Sequence, residues 1–266
     1  MKSLRFSALA LTCCLFIQGC ATSPTGRSQL KLFSKDQLAN MGSQAFDSMK
    51  SEQPIAKQTV QNSYVECVAR AITAQVNPSV FSGEWEVVVF EDDQVNAFAL
   101  PGGKIGVYTG LLNVAKNEHQ LAAVLGHEVG HVIAEHGNER MSNSALIGIG
   151  LEATNALLQS NEVSHSSSIM AAIGLGVQVG VQLPFSRTHE SEADLIGLTL
   201  MAQAGFDPRE SVALWHNMAA ANQRSQPEFL STHPAPDTRI TQLQKNMPAA
   251  LNMQQKSPHR PVCKAK

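Results

Sequence analysis

Residues 127 to 131 read His-Glu-Val-Gly-His, and the residues before them carry a helical pattern. Asn117 and Gln120 stand at capping-box spacing, and Leu121, Val124 and Leu125 follow on one face. A helix fixes the geometry of the pentapeptide. At about 100° per residue, His127 and His131 lie one turn apart on the same face with Glu128 beside them. Two imidazoles can then reach one metal ion while the carboxylate reaches a water next to it. Gly130 gives up about 1 kcal/mol of helix propensity relative to alanine, which predicts a close neighbour there. The helix is expected to end near Gly137, and His136, about 180° around from His127, belongs to packing or to the surface. Two histidines satisfied inside a core are the competing reading.

An open zinc site built on two histidines needs a third protein ligand. Residues Thr188 to Ala204 read as a helix closed by Gly205, and on it Glu190 and Asp194 are four apart and share a face. Glu190 suits the third ligand and Asp194 the carboxylate that orients a ligating imidazole. Glu192 points away from both and is expected in solvent. The cofactor implied is one zinc ion per chain.

The remaining pattern places this helix pair in an α+β fold, mainly helical, with a small β-sheet and the His-Glu-Val-Gly-His segment on an active-site helix. A helix begins after Ser34, with Leu38, Met41, Ala45 and Met49 on one face, and a second carries Val60, Tyr64, Cys67, Val68 and Ile72. Trp85 to Phe90 reads as a strand, and Asn96 to Leu100, Pro101-Gly102-Gly103 and Ile105 to Thr109 read as a hairpin. Ser142 to Leu183 is rich in Ala, Gly, Ser and Ile. Its apolar end is short and interrupted by Gln178 and Gln182, so packed helices or a mobile flap are expected over a membrane span. Asp207-Pro208 with Glu210 opens another helix, and Asp237 to Asn246 forms the last.

At the N-terminus, Lys2 and Arg5 precede an apolar run from Phe6 to Ile17, the order of a secretory leader. Ile17-Gln18-Gly19-Cys20 resembles the bacterial lipobox, which implies cleavage before Cys20 and its lipidation. The expected layout is a leader at 1–19, the lipidated cysteine and a flexible tether at 20–33, a metallopeptidase domain at 34–250 and a tail at 251–266. Of five cysteines, Cys67 and Cys263 then remain, and in an oxidising compartment they form a possible disulfide. A formal net charge of -2 supplies no basic field, so nucleic acid is excluded as a partner.

The pentapeptide, followed some sixty residues later by Ser186-Arg187 and Glu190-Ser-Glu-Ala-Asp194, resembles the gluzincin metallopeptidase family that includes the CAAX prenyl proteases, HtpX and the Oma-type proteases. The short members of LoiP and BepA type, bacterial lipoprotein or periplasmic proteases, are the most similar. The resemblance implies a zinc-dependent endopeptidase with His127, His131 and Glu190 as ligands, Glu128 as catalytic base and Asp194 supporting His127. It matches Asn96, Ala97 and Phe98 to a segment bordering the substrate groove. It matches His233 and Arg239 to a histidine near the zinc, able to occlude the metal or assist the reaction, and an arginine beside it that could steady an oxyanion. The partners it implies are unfolded or misassembled envelope proteins as substrates, a membrane reached through the lipid on Cys20, and the outer-membrane assembly machinery. The periplasmic face of the outer membrane is the expected location. No repeat extension of the BepA kind is implied.

Overall fold

The structure, a computed structural model, describes residues 20–161, 163–177, 183–222, 233 and 237–264. The leader, Gln178, Gln182 and Pro234 lie outside the described residues. In chain order the elements are β1 (Cys20–Thr22), β2 (Ser28–Leu30), α1 (Lys35–Glu52), α2 (Thr59–Thr73), β3 (Glu86–Phe90), β4 (Ala97–Leu100) and β5 (Lys104–Tyr108). After a 3-10 turn at Thr109–Asn113 come α3 (Glu118–Ile133), α4 (His136–Ser160), α5 (Ser166–Val177), α6 (Leu183–Gln203), α7 (Glu210–Asn222) and α8 (Asp237–Lys256). Helices predominate and the strands form two small sheets, the α+β class expected. The chain divides into two compact units, Lys35–Ala134 with Arg187–Lys266, and Met1–Ser34 with Glu135–Ser186.

In the larger unit the sheet runs β3-β5-β4, with β3 parallel and β4 antiparallel to β5. The turn between β4 and β5 puts Gly102 and Gly103 at φ of 86° and 70°, where a side chain would be strained. One side of the sheet meets α1 through Phe46, whose ring stands edge-on to Phe90 and Phe98. The buried face of α1 is Leu38, Gly42 and Phe46, one step around from the expected face, and Met41 is exposed. Backbone proximity decides this, because Gly42 sits against the carbonyl of Pro101.

The main core joins Tyr64, Val65, Val68 and Ile72 of α2 to Ile105 and Val107 of β5 and to Leu121, Val124 and Leu125 of α3. Every residue of α3 from Gln120 to His131 is buried, so this helix runs through the core rather than over it. Its start is capped as expected, with Asn117 Oδ1 accepting from the Gln120 amide at 2.9 Å. The last helix, α8, continues ten residues past the expected end at Asn246. Beyond it, Cys263 is bonded to Cys67 of α2 across a sequence separation of 196 residues, so the tail is tied to the core.

The smaller unit departs from expectation at 20–33. In place of a flexible tether, β1 and β2 pair antiparallel from Cys20–Leu30 to Thr22–Ser28. Arg27 donates through both terminal nitrogens to the buried carboxylate of Glu139, each at 2.6 Å, and Gln29 adds a third bond at 3.0 Å. A composition rich in Ser, Thr, Pro and Gly hides this order, because the bonds that create it come from α4, more than a hundred residues away. Residues 142–177 carry two helices, α4 and α5, as expected, and no described helix is long and apolar enough to cross a membrane.

Breaking the Cys67–Cys263 bond in a Cys67→Ser/Cys263→Ser chain should lower unfolding stability by about 2–5 kcal/mol, since the closed loop is long. Denaturant unfolding of oxidised native and variant protein measures it. Equal midpoints would contradict a stabilising tie.

Candidate metal centre

The site depends on how closely α3 and α6 approach. A Cβ built on Gly197 of α6 would lie 2.7 Å from the backbone nitrogen of His127, and one on Gly130 would lie 2.9 Å from the carbonyl oxygen of Ala193. Gly126 faces Gly197 in the same way. The expectation of a close neighbour at Gly130 is met by the backbone of α6 itself. Two helices in backbone contact bring side chains one turn apart on each to a common point between them.

At that point His127 Nε2 and His131 Nε2 lie 3.1 Å apart, and the Glu190 carboxylate lies 3.2 Å from the first and 3.4 Å from the second. His127 Nδ1 is 3.0 Å from Asp194 Oδ1. A carboxylate accepts only, so the ring proton sits on Nδ1 and Nε2 presents a lone pair to the centre. These groups, with His233, form a set of donor atoms all within 4.8 Å of one another. Glu128 Oε1 is buried and accepts no hydrogen bond among the described residues. A lone pair aimed at another ring nitrogen, beside a buried carboxylate, is a poor arrangement for protein alone and suits a tetrahedral cation, so these residues fit zinc.

Burial and neighbouring charge act differently on each group of the cluster. Burial pushes Glu128 up, poising it to take a proton. Burial likewise holds His131 well below its usual range and therefore neutral. For His127 burial works downward, but Asp194 and Glu190 outweigh it and raise it to about 9, so a cation bound at Nε2 would have to displace a second ring proton. Burial works upward on Glu190 and Asp194. The histidines hold Glu190 far down against it, and Arg239 does the same for Asp194, so both carboxylates stay ionised.

Arg239 is engaged with carboxylates of the cluster. It is 1% exposed and donates from Nε and Nη2 to the two Asp194 oxygens, each at 2.6 Å. Its Nη1 lies 3.0 Å from Glu190. A guanidinium held this way orients both carboxylates. His233 does reach the cluster, with Nδ1 at 3.0 Å from Glu190 and 3.3 Å from His127, and Nε2 at 3.5 Å from Glu128. Ala97 and Phe98 open β4, an edge strand that packs against α3, and Asn96 immediately precedes it. Glu192 is buried rather than in solvent, as is His189. The sequence reading also missed Trp215, whose ring covers Arg239.

The sequence profile of Peptidase family M48 matches residues 59–247. The chain belongs to that family. Family M48 peptidases use zinc, and the His127, His131, Glu190 and His233 cluster falls within the matched residues. Similar proteins include the mitochondrial metalloendopeptidase OMA1 of Schizosaccharomyces pombe, 39% identical over 190 residues that make up 70% of this chain and 53% of that protein. OMA1 of Bos taurus is 31% identical across 87% of this chain and 46% of its own length. The beta-barrel assembly-enhancing protease of Yersinia pestis is 28% identical across 81% of this chain and 45% of its own length. The chain thus spans about half the length of these curated relatives.

A Gly197→Ala substitution forces α3 and α6 apart. It should cost about 1–3 kcal/mol of stability and weaken zinc binding on the order of tenfold. Denaturant unfolding and competition with a chromogenic chelator read the two effects. Unchanged zinc affinity would show that the glycine contact does not set the site.

Proposed function

We propose that this chain is a zinc-dependent endopeptidase acting on unfolded or misassembled proteins of the cell envelope. The convergence of His127 Nε2, His131 Nε2 and the Glu190 carboxylate beside the buried carboxylate of Glu128 carries the reading. His127, His131 and Glu190 would hold the ion, and zinc bound there supplies Lewis acidity to the substrate carbonyl and the attacking water. Glu128 takes the proton from that water at Oε1 as the carbonyl is attacked, then delivers it to the leaving nitrogen. Its raised proton affinity suits both halves of the transfer. Asp194 keeps the His127 proton on Nδ1 throughout. An extended chain laid along the outer edge of β4 near Asn96, Ala97 and Phe98 would be held by main-chain bonds that do not read sequence, which favours unfolded substrates.

The envelope setting draws on separate support. Ile17-Gln18-Gly19-Cys20 makes residues 1–19 a leader and Cys20 the lipidated first residue of the processed chain. The β1–β2 hairpin then seats the anchor on α4, ahead of the peptidase domain at 34–250. Ala21, in place of an aspartate, favours the periplasmic face of the outer membrane. The likeness to beta-barrel assembly-enhancing proteases supports misassembled outer-membrane proteins as substrates and the assembly machinery as a partner.

A second reading, latency, is favoured by His233, which sits between the ligands and Glu128. In that place the ring would compete with a substrate carbonyl.

An unfolded casein substrate tests both. The native zinc-loaded chain should degrade it, while Glu128→Gln should lose on the order of 100-fold or more and chelated protein should be inactive. Silence in all three forms, with His233→Ala gaining activity, establishes latency. Silence of His233→Ala as well, with zinc bound, would contradict the peptidase reading.

A further inference from the structure

Behind the ligands, Arg239 is a fully buried cation that meets Asp194, Glu190, the carbonyl of His233 and, at 3.4 Å, His127 Nδ1. Its planar guanidinium presents two faces. One is covered by the ring of Trp215 from α7, with the guanidinium carbon 4.2 Å from the ring centroid. Trp215 is itself 5% exposed. An indole is the strongest uncharged partner for a desolvated guanidinium, because its negative face attracts the cation without competing for the in-plane donors.

We propose that Trp215 is a positioning residue of the metal site: its ring holds the Arg239 guanidinium on Asp194 and Glu190, and through them sets the affinity for zinc. This rests on the zinc reading above and is independent of which substrate is cut. The path is short. Arg239 grips both Asp194 oxygens, and Asp194 fixes the Nδ1 proton and hence the orientation of His127. A tilt of the guanidinium therefore reaches a ligating nitrogen through two contacts. A small cavity bordered by Val124, His127, Asp194, Leu198 and Trp215 adjoins the pair. An aliphatic side chain in place of the indole would enlarge that space beside Asp194 and let water weaken the Arg239–Asp194 contact.

Ordinary core packing by a large side chain is the competing account, and ring electronics separate the two. The chain has two tryptophans, Trp85 and Trp215, and Trp85 packs on Phe81 at the start of the sheet. In a Trp85→Phe background, biosynthetic replacement of Trp215 by increasingly fluorinated tryptophans keeps its shape while removing the negative face. Zinc affinity, read by chelator competition with no substrate present, should fall stepwise with fluorination. Trp215→Phe should stay within about threefold of native, whereas Trp215→Leu should lose on the order of tenfold or more. The fluorinated protein keeps the question decidable if Trp215→Leu does not fold. Unchanged affinity across the fluorinated series, or equal losses in Trp215→Phe and Trp215→Leu, would overturn the proposal. A chain that binds zinc in this pattern but cuts nothing refutes the peptidase reading alone.

Discussion

The structure depends on the backbone contact between α3 and α6. Glycine at 126, 130 and 197 removes the side chains that would hold the two helices at an ordinary packing distance, which is about 8–10 Å between axes. Only with that separation reduced can short acidic side chains on one helix meet imidazoles on the other. The cost in helix propensity is borne at positions buried in the core, where tertiary packing outweighs it. The rest of the larger unit can be read as support for this pair. The sheet and α2 cover α3 on one side, and α7 and α8 add Trp215 and Arg239.

A second constraint is charge. Histidines 127, 131 and 233 and the carboxylates of Glu128, Glu190 and Asp194 crowd into a space that excludes most water, with Arg239 among them. Such a group is costly unless each charge meets an opposite one. Arg239 ties Asp194 and Glu190 together, and the metal completes the balance by giving the imidazole lone pairs a common target. The same arrangement explains why Arg239 serves as a brace. Its Nε, Nη1 and Nη2 are each engaged by a carboxylate of the cluster.

What was legible in the sequence was whatever depends on local spacing. The capped helix through His127 and His131, the Glu190 and Asp194 pair on the next helix face, the hairpin at Pro101-Gly102-Gly103 and the long-range pairing of Cys67 with Cys263 were all readable as expectations. What escaped depends on partners distant in the chain. The ordering of 20–30 comes from Glu139, the buried face of α1 is chosen by Pro101, and Glu192 is buried by packing that helical spacing does not report. Trp215 carries no motif at all. Its signal would have been a large aromatic on a helix facing a buried arginine, which appears only once both helices are placed.

The central claim, a zinc centre built by His127, His131 and Glu190, is tested most directly by X-ray absorption at the zinc edge of the purified chain. One zinc per chain is expected, with nitrogen and oxygen neighbours at about 2.0–2.1 Å, imidazole scattering beyond them, and one light-atom neighbour lost in Glu190→Ala. Absence of stoichiometric zinc, a sulfur neighbour near about 2.3 Å, or a spectrum unmoved by Glu190→Ala would contradict it.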